Sequence, residues 1–171
     1  MTGRPACIRH WSEIEGPDES RYSGDDELLA IGSAFGRHFG LRHIGIHHER
    51  LPPGRRTSYP HAESVEEEFV YVIEGMPDVW LDGTLHRLRP GDGVGFPPGT
   101  GQSHTFINNS DAEVRLLVVG QTPLAENRIV YPRNPERRKL RKDWWEDAPA
   151  RPDGGHDGLP DAERARRKQE G

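Results

Sequence analysis

From Ser58 to Gly120 the chain alternates between short β-branched or aromatic runs and glycine- or proline-bearing turns, at intervals of about ten residues. Phe69 to Ile73 is one such run, closed by Gly75, and it reads as a buried strand. Val79-Trp80-Leu81 and Thr84-Leu85-His86 flank Asp82-Gly83, whose two residues accept the positive φ values of a type I′ hairpin turn. Pro90-Gly91-Asp92 and Pro97-Pro98-Gly99 are turns as well, because proline presets φ and glycine takes conformations closed to other residues. Another strand is predicted from Ala112 to Val119. Short strands in this rhythm pack as an all-β sandwich or barrel.

The flanks extend this pattern and then leave it. Leu41 to Leu51 is a predicted strand, with Ile44, Ile46 and His48 on one face and His43, His47 and Glu49 on the other. Pro52-Pro53-Gly54 ends it, and Arg128 to Tyr131 is a predicted last strand. Residues 1–39 read as an N-terminal arm anchored by Ile8, Trp11 and Ile14. Asp25-Asp26-Glu27 could cap a short helix over Leu28 to Ile31, limited by glycines at 32, 36 and 40. Residues 40–131 are the predicted barrel, and residues 132–171 a polar C-terminal tail. That tail holds a basic run at 137–142, the pair Trp144-Trp145, and a segment from Asp161 to Gln169 that could be helical but lacks an apolar face. A tail so charged is usually solvated. The tryptophan pair is the exception, expected to dock on the barrel or on a second subunit.

Two groups of residues in the central stretch resemble the paired motifs of the cupin superfamily. The first motif is His-x-His, three or four residues, Glu, six residues, Gly; here His61, Glu63, Glu68 and Gly75 fall on those positions, with Glu63 in place of the second histidine. The second is Gly, five residues, Pro-x-Gly, a short gap, His, three residues, Asn; here Gly91, Pro97, Gly99, His104 and Asn108 match, with four residues before the histidine instead of two. The resemblance implies a double-stranded β-helix, or jelly-roll barrel. It also implies that His61, Glu63, Glu68 and His104 converge inside the barrel on one divalent metal ion. No internal repeat is visible, so one barrel is expected.

Two imidazoles and two carboxylates make a nitrogen–oxygen donor set whose charge balances a divalent cation. Carboxylate in place of imidazole hardens the site towards Mn²⁺ or Fe²⁺, with Zn²⁺ or Ni²⁺ still open. An ion with open positions could bind paired oxygens, polarise a carbonyl, or activate water or dioxygen. Three alternatives stay open at this stage: Glu63 on a solvent-facing loop, Glu67 as the ligand after a one-residue slip of the strand, and a barrel without metal. One of His47 and His48 could stand behind the site. Arg55 and Arg56 could meet an anionic substrate, or be two solvated side chains.

Composition excludes other classes. The net charge is −5, and residues 1–132 alone carry −7, which repels phosphate backbones; nucleic acid is not an expected partner. Nothing resembles a membrane span, a secretion signal, a P-loop or a dinucleotide fingerprint. Cys7 is the single cysteine, in keeping with a cytoplasmic protein. The expected function is that of a metal-dependent enzyme on a small polar metabolite, a sugar derivative or a hydroxy- or oxo-acid, of isomerase, lyase or dioxygenase type. The alternative is a non-catalytic barrel that binds a sugar or small acid. A homodimer is expected, because Trp11, Trp144 and Trp145 on polar arms need cover.

Overall fold

The structure, a computed structural model, describes residues 4–170. Ten strands run in the order β1 (Ile31–Ala34), β2 (Ile44–Leu51), β3 (Ala62–Glu63), β4 (Glu68–Glu74), β5 (Asp78–Leu81), β6 (Thr84–Arg87), β7 (Gly93–Phe96), β8 (His104–Ile107), β9 (Val114–Gln121) and β10 (Ile129–Val130). Helix α1 (Phe35–Phe39) follows β1, and helix α2 (Asp161–Glu170) lies near the C-terminal end. No helix among the described residues is long and apolar enough to cross a membrane.

The strands form two layers. One is a five-stranded sheet in the order β1-β2-β9-β4-β7, with every pairing antiparallel. The other is built from β6-β5-β8 and the short pair β10-β3, linked where Arg56 bridges Ile107 and His61 bridges His104. Leu51, Val70, Val72, Val79, Phe96, Phe106, Val114 and Leu116 fill the space between the layers. This is the all-β, jelly-roll arrangement expected from the sequence. The hairpin at Asp82-Gly83 has φ of 45° and 89°, and Leu81 pairs with Thr84, as the Asp-Gly signal requires.

Three local expectations change. Leu28 to Ile31 does not form a helix. Asp25 instead accepts from the Tyr59 hydroxyl and from the Glu27 backbone, and the chain enters the sheet at Ile31. The five-stranded sheet therefore begins inside the segment read as an arm. The tail, read as solvated, packs on the barrel through its backbone. Gly154 N donates to Asp82 O at 2.7 Å, His156 N to Gly83 O at 2.9 Å, and Trp80 Nε1 to His156 O at 2.9 Å. A side chain at Gly83 would lie 2.6 Å from Gly154 N, so the turn glycine is also what lets the tail approach.

A buried ion pair ties both flanks to the barrel. Arg56, only 2% exposed, makes two hydrogen bonds to Glu27 at 2.7 and 2.6 Å and donates to Gly158 O at 2.8 Å; Arg167 of α2 reaches the same glutamate at 3.1 Å. Arg55 is held by Asp18. Both arginines are thus committed within the chain, not solvated and not at a ligand. The three tryptophans find cover in the same chain: Trp11 stacks on His48, Trp144 packs against Tyr59, Ile129 and Tyr131, and Trp145 is buried.

Candidate metal centre

Alternation along each strand decides what faces the space between the layers. In the five-stranded sheet Glu68 lies opposite Gly120, Val70 opposite Val118 and Val72 opposite Leu116, so these side chains share the inner face. Glu67, one residue earlier, is exposed and only its backbone is engaged, with Gln121. The register therefore selects Glu68 over Glu67. From the other layer, His61 and His104 pair through both backbone hydrogen bonds, at 3.2 and 2.9 Å, which aligns their side chains on one face. Their rings lie 4.8 Å apart, and Phe96 stacks on His104 at 3.5 Å.

His61, Glu68 and His104 thereby offer three ligand atoms within 4.8 Å of one another. His61 Nδ1 lies 2.9 Å from Tyr59 O, which can only accept, so the proton sits on Nδ1 and Nε2 keeps its lone pair. Burial, then the neighbouring His104, pushes the His61 imidazole down to about 4, so it is neutral at physiological pH. Burial alone would raise Glu68, but a hydrogen bond with His104 and the nearby His61 and His47 outweigh it and hold the carboxyl below its ordinary value. One charged carboxylate between two imidazoles fits a divalent ion. His104 turns Nε2 towards Glu68, at 3.3 Å, and its buried Nδ1 has no hydrogen-bond partner in the protein.

Glu63 stands beside this group and not in it. It pairs with Ile129 at the β3–β10 edge, and burial together with the charges of Glu66 and Glu68 pushes its carboxyl up to about 7. His47 faces inwards near Glu68, while His48 faces outwards under Trp11. Asn108 is structural, its amide donating to Leu51 O and Ala112 O, both at 2.8 Å.

Sequence reasoning grouped Glu49 with His43 and His47 on one face of β2 but gave it no role. It lines the same cavity of about 90 Å³ as His61, Glu68 and His104, together with Ser58, Val70, Phe106 and Val118. Burial, then the charge of Glu68, pushes its carboxyl up to about 7. The alternation of β2 was the available signal; the proximity of β2 to β8 was not. A wider groove of about 440 Å³, lined by Ile44, Phe69, Phe96, Pro97 and Val119, also reaches Glu68. No lysine or arginine lines either space.

Comparison with known proteins agrees with this architecture. A family model described as the cupin domain matches residues 47–120. The protein SchB of Streptomyces halstedii is 33% identical over 68% of this chain and 78% of its own length. The polyketide synthase CurC of Streptomyces cyaneus is 37% identical over 66% of this chain and 67% of its own. Among solved structures, a sugar phosphate isomerase of the cupin superfamily from Silicibacter pomeroyi is 34% identical, with a TM-score of 0.57; the match covers 60% of this chain and 64% of that one, a little under two thirds. With two antiparallel layers, both motifs in place and these relatives in sequence and structure, the chain belongs to the cupin superfamily.

Proposed function

We propose that this protein is a metal-dependent enzyme that acts on a hydroxy- or oxo-bearing molecule by a redox-neutral rearrangement, isomerisation or ring closure. The observation that carries the reading is the cluster of His61, Glu68 and His104 on the wall of a small cavity. A divalent ion held by these three would supply Lewis acidity towards an oxygen of the bound molecule. Tyr59 O holds His61 in the tautomer that presents Nε2, and Phe96 fixes the plane of the His104 ring. At about 90 Å³ the cavity has room for about three waters, so only the end of a molecule enters it. The adjoining groove would take the rest.

The lining of that groove favours one substrate class over another. Ile44, Phe69, Phe96, Pro97 and Val119 form its apolar walls beside His43, Glu67 and Gln121, and neither space offers the arginine or lysine that usually reads a phosphate. An apolar body with an oxygen-rich end, as in a polyketide intermediate, suits it better than a sugar phosphate. The similarity to the polyketide synthase CurC supports this choice, and the similarity to the sugar phosphate isomerase supports the isomerase alternative.

Protein purified without chelators should carry close to one divalent ion per chain by elemental analysis, and Glu68→Gln should lose it. The loaded protein should then convert poly-β-keto thioesters faster than aldose phosphates, without consuming oxygen. Oxygen uptake would favour the dioxygenase alternative. A parent protein that takes up no divalent metal under any loading condition ends the metal-dependent reading and leaves the non-catalytic binding barrel in its place.

A further inference from the structure

The inner face of the five-stranded sheet is built in rows. Gly45, Gly120 and Glu68 form one row across β2, β9 and β4; His47, Val118 and Val70 form the next; Glu49, Leu116 and Val72 form the third. Glu68 is thus at the level of the metal centre, and Glu49 starts two rows deeper, among aliphatic side chains that are almost wholly buried. A valine or leucine would complete that third row at no electrostatic cost. A carboxylate there loses its hydration, and Glu49 Oε2 is sealed from solvent with no hydrogen-bond partner in the protein. No lysine, arginine or histidine of the cavity wall donates to it. The group nonetheless lines the space that His61, Glu68 and His104 enclose from above.

A cavity water can meet this acceptor in the free protein, but a molecule that fills the cavity expels it and must bring a donor of its own to Glu49. Glu49 is also outside the set of mutually close ligand atoms, so its place is opposite the ion and not on it. We propose that Glu49 recognises the hydroxyl or enol O–H of a molecule whose neighbouring oxygen is held at the metal centre. This rests on the metal-centre reading given above and narrows it: the accepted end carries an oxygen ligand and, next to it, an O–H. A ligand without that O–H leaves Glu49 Oε2 unsatisfied and is rejected, because a site built around a hydrogen bond discriminates strongly against the analogue that lacks it.

The test uses full-length protein loaded with Mn²⁺, with glycolate and acetate as probes that differ by one hydroxyl. Mn²⁺ affinity and probe affinities are measured by titration calorimetry for the parent, Glu49→Gln, Glu49→Ala and Glu68→Gln. Both Glu49 variants should keep Mn²⁺ affinity within about threefold of the parent. The preference of the parent for glycolate over acetate should fall at least about tenfold in Glu49→Ala. In Glu49→Gln, whose amide keeps the shape and one acceptor oxygen, it should fall by less. Glu49→Gln also serves should Glu49→Ala not fold, since any decline in its preference with Mn²⁺ affinity intact supports the assignment. An unchanged preference in both variants overturns it, and so does a loss of Mn²⁺ binding as severe as in Glu68→Gln, which would make Glu49 a ligand. A parent that takes up no Mn²⁺ overturns the metal-centre reading and this assignment with it; a parent that binds Mn²⁺ but shows no effect at residue 49 overturns this assignment alone.

Discussion

Replacing Glu49 by glutamine should stabilise the metal-free protein at alkaline pH and leave it unchanged in acid. In the unfolded chain the carboxyl ionises near 4.5, whereas burial and the charge of Glu68 push it up to about 7 in the folded protein. Between these values the folded state keeps a proton that the unfolded state has released. The stability contributed by the protonated group is therefore fully present below the unfolded value and is lost as pH rises through the folded one. A rise of this size, at about 1.4 kcal/mol per unit, amounts to about 3 kcal/mol against folding once the group is ionised. Glutamine fills the same space without a charge. For a chain of this length each kcal/mol moves the melting temperature by about 2–4 °C, so Glu49→Gln should melt about 6–12 °C higher than the parent at pH 8.5 in a chelator. At pH 4.5 the two should coincide. The assay is thermal unfolding followed by circular dichroism at both pH values. Equal melting temperatures at pH 8.5, or the same gain at both pH values, would refute the reasoning.

Other outcomes follow from the same geometry. Glu68→Gln should weaken Mn²⁺ or Zn²⁺ binding by more than about 100-fold, and Glu63→Gln by about 10-fold or less, measured by competition with a chromophoric chelator; equal losses would place Glu63 among the ligands. Arg56→Met should destabilise by about 3–5 kcal/mol in denaturant titrations, because it leaves Glu27 buried beside Arg167 alone. Adding Glu27→Leu should recover most of that loss, and a double variant no better than the single one would show that the ion pair is not the cause. On the outer face of the five-stranded sheet, outside the groove, Tyr71 and Ile73 are each about two fifths exposed, and we expect this patch to pair two copies of the chain. Light scattering should then give a dimeric mass for the parent and a monomeric one for Tyr71→Lys; a monomeric parent at micromolar concentration counts against it.

The barrel was legible in the chain because its signals are local. Asp82-Gly83 dictates a hairpin turn wherever it sits, and Phe69 to Ile73 suits a pleated, half-buried surface before any partner is known. The convergence of His61, Glu68 and His104 was not local in this sense: it came from the resemblance of the two motifs to the cupin pattern, and the structure brings the three side chains together. What needed tertiary structure was everything set by pairing between distant strands. Register alone turned Glu68 inwards and left Glu67 outside. The approach of β2 to β8 made Glu49 part of the cavity, although its alternation on β2 was already visible. Helix signals at Asp25-Asp26-Glu27 yielded to Tyr59 and Arg56, which reach those carboxylates from segments about thirty residues away in sequence. The polar tail packs for the same reason. Beyond the Trp144-Trp145 pair it gave no local sign of docking, and it is held by backbone hydrogen bonds to the Asp82-Gly83 turn and by Arg167 on Glu27, contacts that exist only once the barrel has brought their partners together.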